Sequence, residues 1–262
     1  MGHNRLGRNP KSGRWLAVAA RLGSSPNQTQ QIAATTLAAS EARLRRLAND
    51  PVLSHSVWLL GRLAEAARTD SFQDALRAIG VDPSGVNSAV GLVARVGEHM
   101  QRFADDHPES AIFGDVAGLA LRSTLSHAVG SSARGLFGAS LTDVQAVLRP
   151  LATERRFGEL GERFFGEFLS RTLSSFVDRE AANVTRADGS FASPADLQAL
   201  TDAIRLHAYQ SARIVREFAG EWFSKHDWES QHQLGDEETA RFVGHALRKL
   251  RSELKREAAL SQ

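Results

Sequence analysis

The hydrophobic pattern is densest between Glu154 and Ala182, where five of the chain's thirteen phenylalanines fall in the window from Phe157 to Phe176. At about 100° per residue, Phe157, Leu160, Phe164, Phe165, Phe168, Thr172 and Phe176 lie on one broad arc of a helix. Glu159, Glu162, Arg163 and Ser170 lie mostly outside it. The spacing predicts a long helix over 154–182 with an aromatic stripe that other helices must cover, since an open stripe of that size is an interaction or aggregation surface.

Helical periodicity runs through most of the remaining chain. Ile32, Thr36, Leu37, Ser40, Leu44 and Leu47 mark one face of a helix that Asn49-Asp50-Pro51 ends. A helix over 52–68 buries Val57, Leu60, Leu63 and Ala64. Ser71 with Asp74 has capping-box spacing and opens a short helix that Gly80 stops. Helices are further predicted over 86–104 and around 116–128, followed by a loop at GSSARGLFG, and then from the capping pair Ser140 and Asp143 to Leu148. Asn183 to Phe191 reads as a polar loop. Ser193-Pro194-Ala195-Asp196 then starts a helix reaching Ser224, with Leu200, Ile204, Ala208, Ser211, Ile214, Val215, Phe218 and Trp222 on its face. A hinge over 225–235 precedes a last helix over 236–257. No segment alternates long enough for a strand and no repeat of fixed period occurs. The expectation is an all-α, irregular bundle of about eight or nine helices around the phenylalanine-rich helix. It is organised as an arm (1–26), an N-terminal helical subdomain (27–107) and a C-terminal one (108–262) packed as one unit.

Composition narrows the chemistry. The 262 residues contain no cysteine, which removes disulfides, thiolate nucleophiles and thiolate metal sites. A cytoplasmic location fits this. No apolar run approaches the roughly 18–20 residues of a membrane span, so no membrane insertion is expected. The pI of 9.4 overstates basicity, because the net charge is only +2 and little titrates between neutrality and the arginines.

Charge is unevenly placed. Residues 1–26 carry Arg5, Arg8, Lys11, Arg14 and Arg21, and the first acidic residue is Glu41. Glycines and Asn9-Pro10 interrupt regular structure, so this segment reads as a basic arm ending near Trp15, followed by a short helix to Leu22. Arg5, Arg8, Lys11, Arg14 and Trp15 are the residues expected to meet phosphates or an acidic partner.

Other constellations give less. Gly130 and Gly135 have the spacing of a phosphate-binding loop, but Leu136 and Phe137 stand where Lys and Ser or Thr are required. Asp105, Asp106 and His107, and His226, Asp227, Glu229 and His232, are metal ligands by type but irregular in spacing; they read as solvated loops and caps, and no metal or cofactor is expected. His207 lies within an apolar helix face one turn before Ser211, so a neutral imidazole bonded to Ser211 or a carbonyl is expected. An enzyme built around His207 would need a nucleophile or carboxylate from elsewhere. Arg171, one turn after Glu167 and two before Asp178, is expected to form with them a partly buried ionic row.

The segment DALRAIGVDPSGVNSAVGLV resembles the helix-turn-helix pattern of bacterial DNA-binding proteins. It departs at Leu76, where a small residue is normal. Its second helix offers Asn87 and Ser88 but no arginine before Arg95, and Asp82 has the wrong sign for phosphate. The function expected is therefore a non-catalytic helical scaffold or adaptor subunit acting in a larger complex with another protein, with the basic arm contacting an acidic partner. Nucleic-acid binding through the arm and the 72–95 corner stands second, and catalysis third.

Overall fold

The computed structural model describes residues 36, 44–110, 112–130, 140–188, 194–229 and 234–260, with the backbone alone at 112, 176–188, 194–197 and 257–260. The regular elements among them are all helical: α1 Pro51–Ala66, α2 Phe72–Ala78, α3 Ala89–Asp106, α4 Ile112–Gly130, α5 Leu141–Leu148, α6 Glu154–Asp188, α7 Pro194–Glu229 and α8 Asp236–Leu260. Short 3-10 turns lie at Leu47–Asn49, Pro108–Ser110 and Arg149–Ala152. The protein is an all-α bundle, and no helix among the described residues is long and apolar enough to cross a membrane.

Local chemistry sets the helix ends. Asp50 stops one element and starts the next: its carboxylate accepts the Leu53 N–H at 2.8 Å, and Pro51 occupies the first turn of α1. Ser140 and Asp143 form the reciprocal capping box predicted for α5. Ser71 and Asp74 do not; Ser71 makes no cap bond, and Asp74 is drawn instead to Arg77 at 2.7 Å. Gly80, at φ 78°, closes α2 with two bonds, Val81 N–H to Leu76 O and Gly80 N–H to Arg77 O, the pairing that satisfies terminal carbonyls. The helix predicted from Val86 begins at Ala89, because Ser88 caps it through the Gly91 N–H.

The aromatic helix is buried on more than a stripe. Every residue from Phe164 to Leu169 is buried, including Leu169, which lies off the predicted arc. Glycines explain how. Cβ atoms added at Gly158 and Gly166 would lie 2.9 Å from the Arg216 carbonyl oxygen and 2.8 Å from the Tyr209 ring, and one at Gly220 would overlap the Glu154 carbonyl. As α6 advances from 158 to 166 its partners on α7 recede from 216 to 209, so the two helices form an antiparallel hairpin at close backbone approach. Phe157 stacks on Phe223 at 3.9 Å within it.

The helices form a closed ring: α1 packs on α4, α4 on α6, α6 on α7, α7 on α8, and α8 back on α1. One core runs through it from Leu44 to Leu254, so residues on both sides of position 107 share it. A polar clip completes the closure where α7 passes to α8. The Leu234 N–H donates to the buried Glu65 carboxylate at 3.1 Å, and the Trp58 Nε1–H donates to the Leu234 carbonyl at 2.9 Å. Burial pushes the Glu65 carboxyl upward, and Arg62 and the Leu234 amide oppose that. Glu65→Ala strands the buried Leu234 amide and is expected to cost about 1–3 kcal/mol in urea unfolding. Arg95→Ala, which loses an exposed, solvent-screened pair with Glu98, should leave the urea unfolding curve almost unchanged.

Candidate functional site

An open groove of about 1020 Å³ lies where the ends of α1 and α7 meet α5 and the 149–152 turn. The turn that follows α1 is locked to the last turn of α7 there: the Arg68 guanidinium donates to Asp227 at 2.7 Å, and Asp227 is buried. Gln145 ties α5 to the same place, its Nε2 donating to the carbonyls of Ala67 at 3.2 Å and Thr69 at 2.6 Å. These contacts give a stiff floor. Above it stand Asp70, Arg149, Glu154 and Trp228, the last 79% exposed. Trp228 is the most exposed large hydrophobic side chain among the described residues. Its neighbours in the predicted acidic cluster turn elsewhere. Asp227 is taken by Arg68, His226 donates from Nδ1 to the Trp222 carbonyl at 2.8 Å, Glu229 lies 3.9 Å from Lys225, and His232 falls outside the described residues.

A second polar centre lies where α4, α6 and α7 meet. Arg171 pairs with the buried Glu167 at 3.1 Å, as the sequence predicts, whereas the side chain of Asp178 is outside the described residues. The third member is Tyr209, forty-two positions away, whose hydroxyl donates to Glu167 at 2.6 Å. Burial would raise the Glu167 carboxyl, but Tyr209 and Arg171 hold it below its ordinary value. The same contact and burial push Tyr209 up to about 12. Tyr209→Phe removes one donor from a buried carboxylate and is expected to lower stability by about 1–3 kcal/mol in urea unfolding. With the donor gone the Glu167 carboxyl rises, so the loss is present at neutral pH and shrinks as pH falls through its range.

His207 is buried on α7, but it is not bonded to Ser211, whose buried hydroxyl has no partner among the described residues. Arg5, Arg8, Lys11, Arg14 and Trp15 lie outside the described residues, as does the Gly135 end of the glycine-spaced loop.

At the α1–α3 interface a stack unseen in the sequence runs through Trp58, His55, Phe103 and His107, with the His55 and Phe103 rings 3.7 Å apart. The His55 and His99 Nε2 atoms are 2.8 Å apart, and His99 Nδ1 lies 3.0 Å from the Gly80 carbonyl. A carbonyl can only accept, so His99 carries its proton on Nδ1 and His55 donates from Nε2. His107 donates from Nδ1 to the Phe103 carbonyl at 2.8 Å, and Asp105 accepts from Gln101. No group of three or more His, Asp or Glu side chains among the described residues is placed to hold a metal ion.

The helix-turn-helix resemblance does not extend to geometry. α2 and α3 are joined by residues 79–88 in place of a turn of about 3–4 residues. Arg95 is held by Glu98 at 2.9 Å and the Ser84 carbonyl at 3.1 Å.

Comparison with known proteins finds no matching family, curated protein or solved structure.

Proposed function

We propose that the protein is a non-catalytic helical adaptor, working in the cytoplasm, that docks a segment of a partner protein in the groove beside Trp228. The exposed indole carries this reading. Tryptophan is strongly enriched among residues that dominate protein interfaces, and here it stands over a floor fixed by the Arg68–Asp227 pair and Gln145. A preformed floor lowers the ordering cost of binding. The groove is open and its walls mix charged and polar groups with apolar surface from Ala146, Pro150, Ala152 and Trp228, which suits a polypeptide with an apolar anchor. The partner segment presents that anchor to Trp228 and acidic residues to Arg149 and to the basic arm, which contains no acidic residue to neutralise it.

The test is a peptide-display selection against the full chain, counter-selected on Trp228→Ala. Enriched peptides should carry an aromatic or aliphatic anchor flanked by Asp or Glu. Their affinity should fall about tenfold or more in Trp228→Ala, the effect of losing an interface anchor of about 1.4 kcal/mol or more. Peptides without acidic residues, or indifferent to Trp228, contradict the proposal. Labelled DNA and RNA form the rival arm of the experiment. Nucleic-acid binding that falls steeply with salt and is lost without residues 1–26 would replace the adaptor reading.

A further inference from the structure

A smaller cavity of about 450 Å³ lies on another face of the 149–152 turn, between α4, α5, α6 and α7. Its walls divide by chemistry. Ala128, Val147, Leu151 and Leu160 form an apolar side, while Thr124, Arg163 and Tyr209 border it with polar groups. Thr124 is fully buried, yet its hydroxyl bonds to nothing among the described residues. The Nε of Arg163 is likewise buried without a hydrogen-bond partner. Two buried polar groups left unsatisfied beside one cavity are destabilising, and such groups are normally met by a partner.

The charges identify what that partner is. Glu159 is bound by Arg155 at 3.2 Å and by Arg156 at 2.8 Å, and Arg216 bridges it to Glu162. Glu167 is held by Arg171 and Tyr209. Among the described residues no carboxylate pairs with Arg163. His127, beside it, is pushed down by desolvation and by the Arg163 charge, and so stays neutral near pH 7. The lining carries Glu159 and Glu162, both paired, together with Arg156 and Arg163, and of these two arginines only Arg163 has no carboxylate partner among the described residues. A single negative charge matches it; a dianion would meet the flanking glutamates at a net cost. The planar fork of arginine suits a carboxylate, and the apolar side needs a hydrocarbon body.

We propose that this cavity binds an apolar-bodied monocarboxylate, an aliphatic or aryl acid of about ten to fifteen heavy atoms. Its carboxylate lies on Arg163 and the Thr124 hydroxyl, and its body lies against Val147, Leu151 and Leu160. The site stands independently of the Trp228 groove.

Isothermal titration calorimetry of the full chain with octanoate and with 4-phenylbutyrate tests it, with 1-octanol and inorganic phosphate as controls. Saturable binding of at least one acid, and neither control, is expected. Arg163→Met should weaken it about tenfold or more, the loss of a charge-assisted hydrogen bond. Val147→Phe fills the apolar side without touching the polar one and should abolish binding while circular dichroism and unfolding remain native. Binding of phosphate in place of the acids would overturn the ligand class. No binding of either acid, or equal binding by wild type and the folded Val147→Phe variant, would overturn the site.

Discussion

Gly220→Val is expected to disrupt the α6–α7 hairpin and cost about 3 kcal/mol or more, a large fraction of the 5–15 kcal/mol typical of a folded domain. A Cβ at this position overlaps the Glu154 carbonyl oxygen, a backbone atom that cannot rotate away. Relief requires the helices to separate, which opens the seam at Phe157 and Phe223. Gly244→Ala is the control. Its added Cβ would lie 3.7 Å from the Ala48 carbonyl, ordinary contact, and alanine has the higher helix propensity. That variant should be neutral or more stable by about 0.5–1 kcal/mol. Urea unfolding of the two distinguishes close approach from general intolerance of change at helical glycines; similar losses in both would contradict the packing described.

The second large effect is acid sensitivity at His55. Its ring lies between Trp58 and Phe103, and burial, followed by the charges of His99 and His107, pulls it down from 6.5 to about 3. A histidine whose folded value is depressed binds its proton more readily unfolded. Its contribution is therefore complete above the unfolded value near 6.5, and is lost as pH falls toward 3. At about 1.4 kcal/mol per pH unit the loss reaches on the order of 5 kcal/mol, an upper bound because the ring is only partly buried. His99 is also pulled down, chiefly by desolvation, and adds in the same direction. Thermal unfolding should show a falling Tm between pH 7 and pH 4. His55→Phe keeps the stack but has no proton to bind, and should flatten much of that slope. An unchanged slope in the variant would place the acid sensitivity elsewhere.

What could be read from the sequence was local. Phe157, Leu160, Phe164, Phe165 and Phe168 announce a helix and its core face because their spacing repeats within one turn. Ser140 with Asp143 announces a cap for the same reason. Helix ends were harder: α6 runs to Asp188 and α7 to Glu229, beyond the predicted 182 and 224. Polar residues there end the hydrophobic period without breaking the backbone, and an established helix extends through such residues at little cost. The sites were mostly illegible. Glu167 and Arg171 are one turn apart and could be paired, but Tyr209 joins them from another helix. Leu234 reaches Glu65 across 169 positions and His55 meets His99 across 44. Trp228 could be read only as one more aromatic until the neighbouring Asp227 was seen to turn inward and leave it outside.

The adaptor claim is tested most directly by hydrogen–deuterium exchange on the full chain, with and without a saturating acidic peptide from the display selection. Slowed exchange confined to the basic arm and the segments around 68–70, 142–154 and 224–229, and absent in Trp228→Ala, is the predicted result. Protection elsewhere, or protection of the same segments in Trp228→Ala, would contradict docking at this groove.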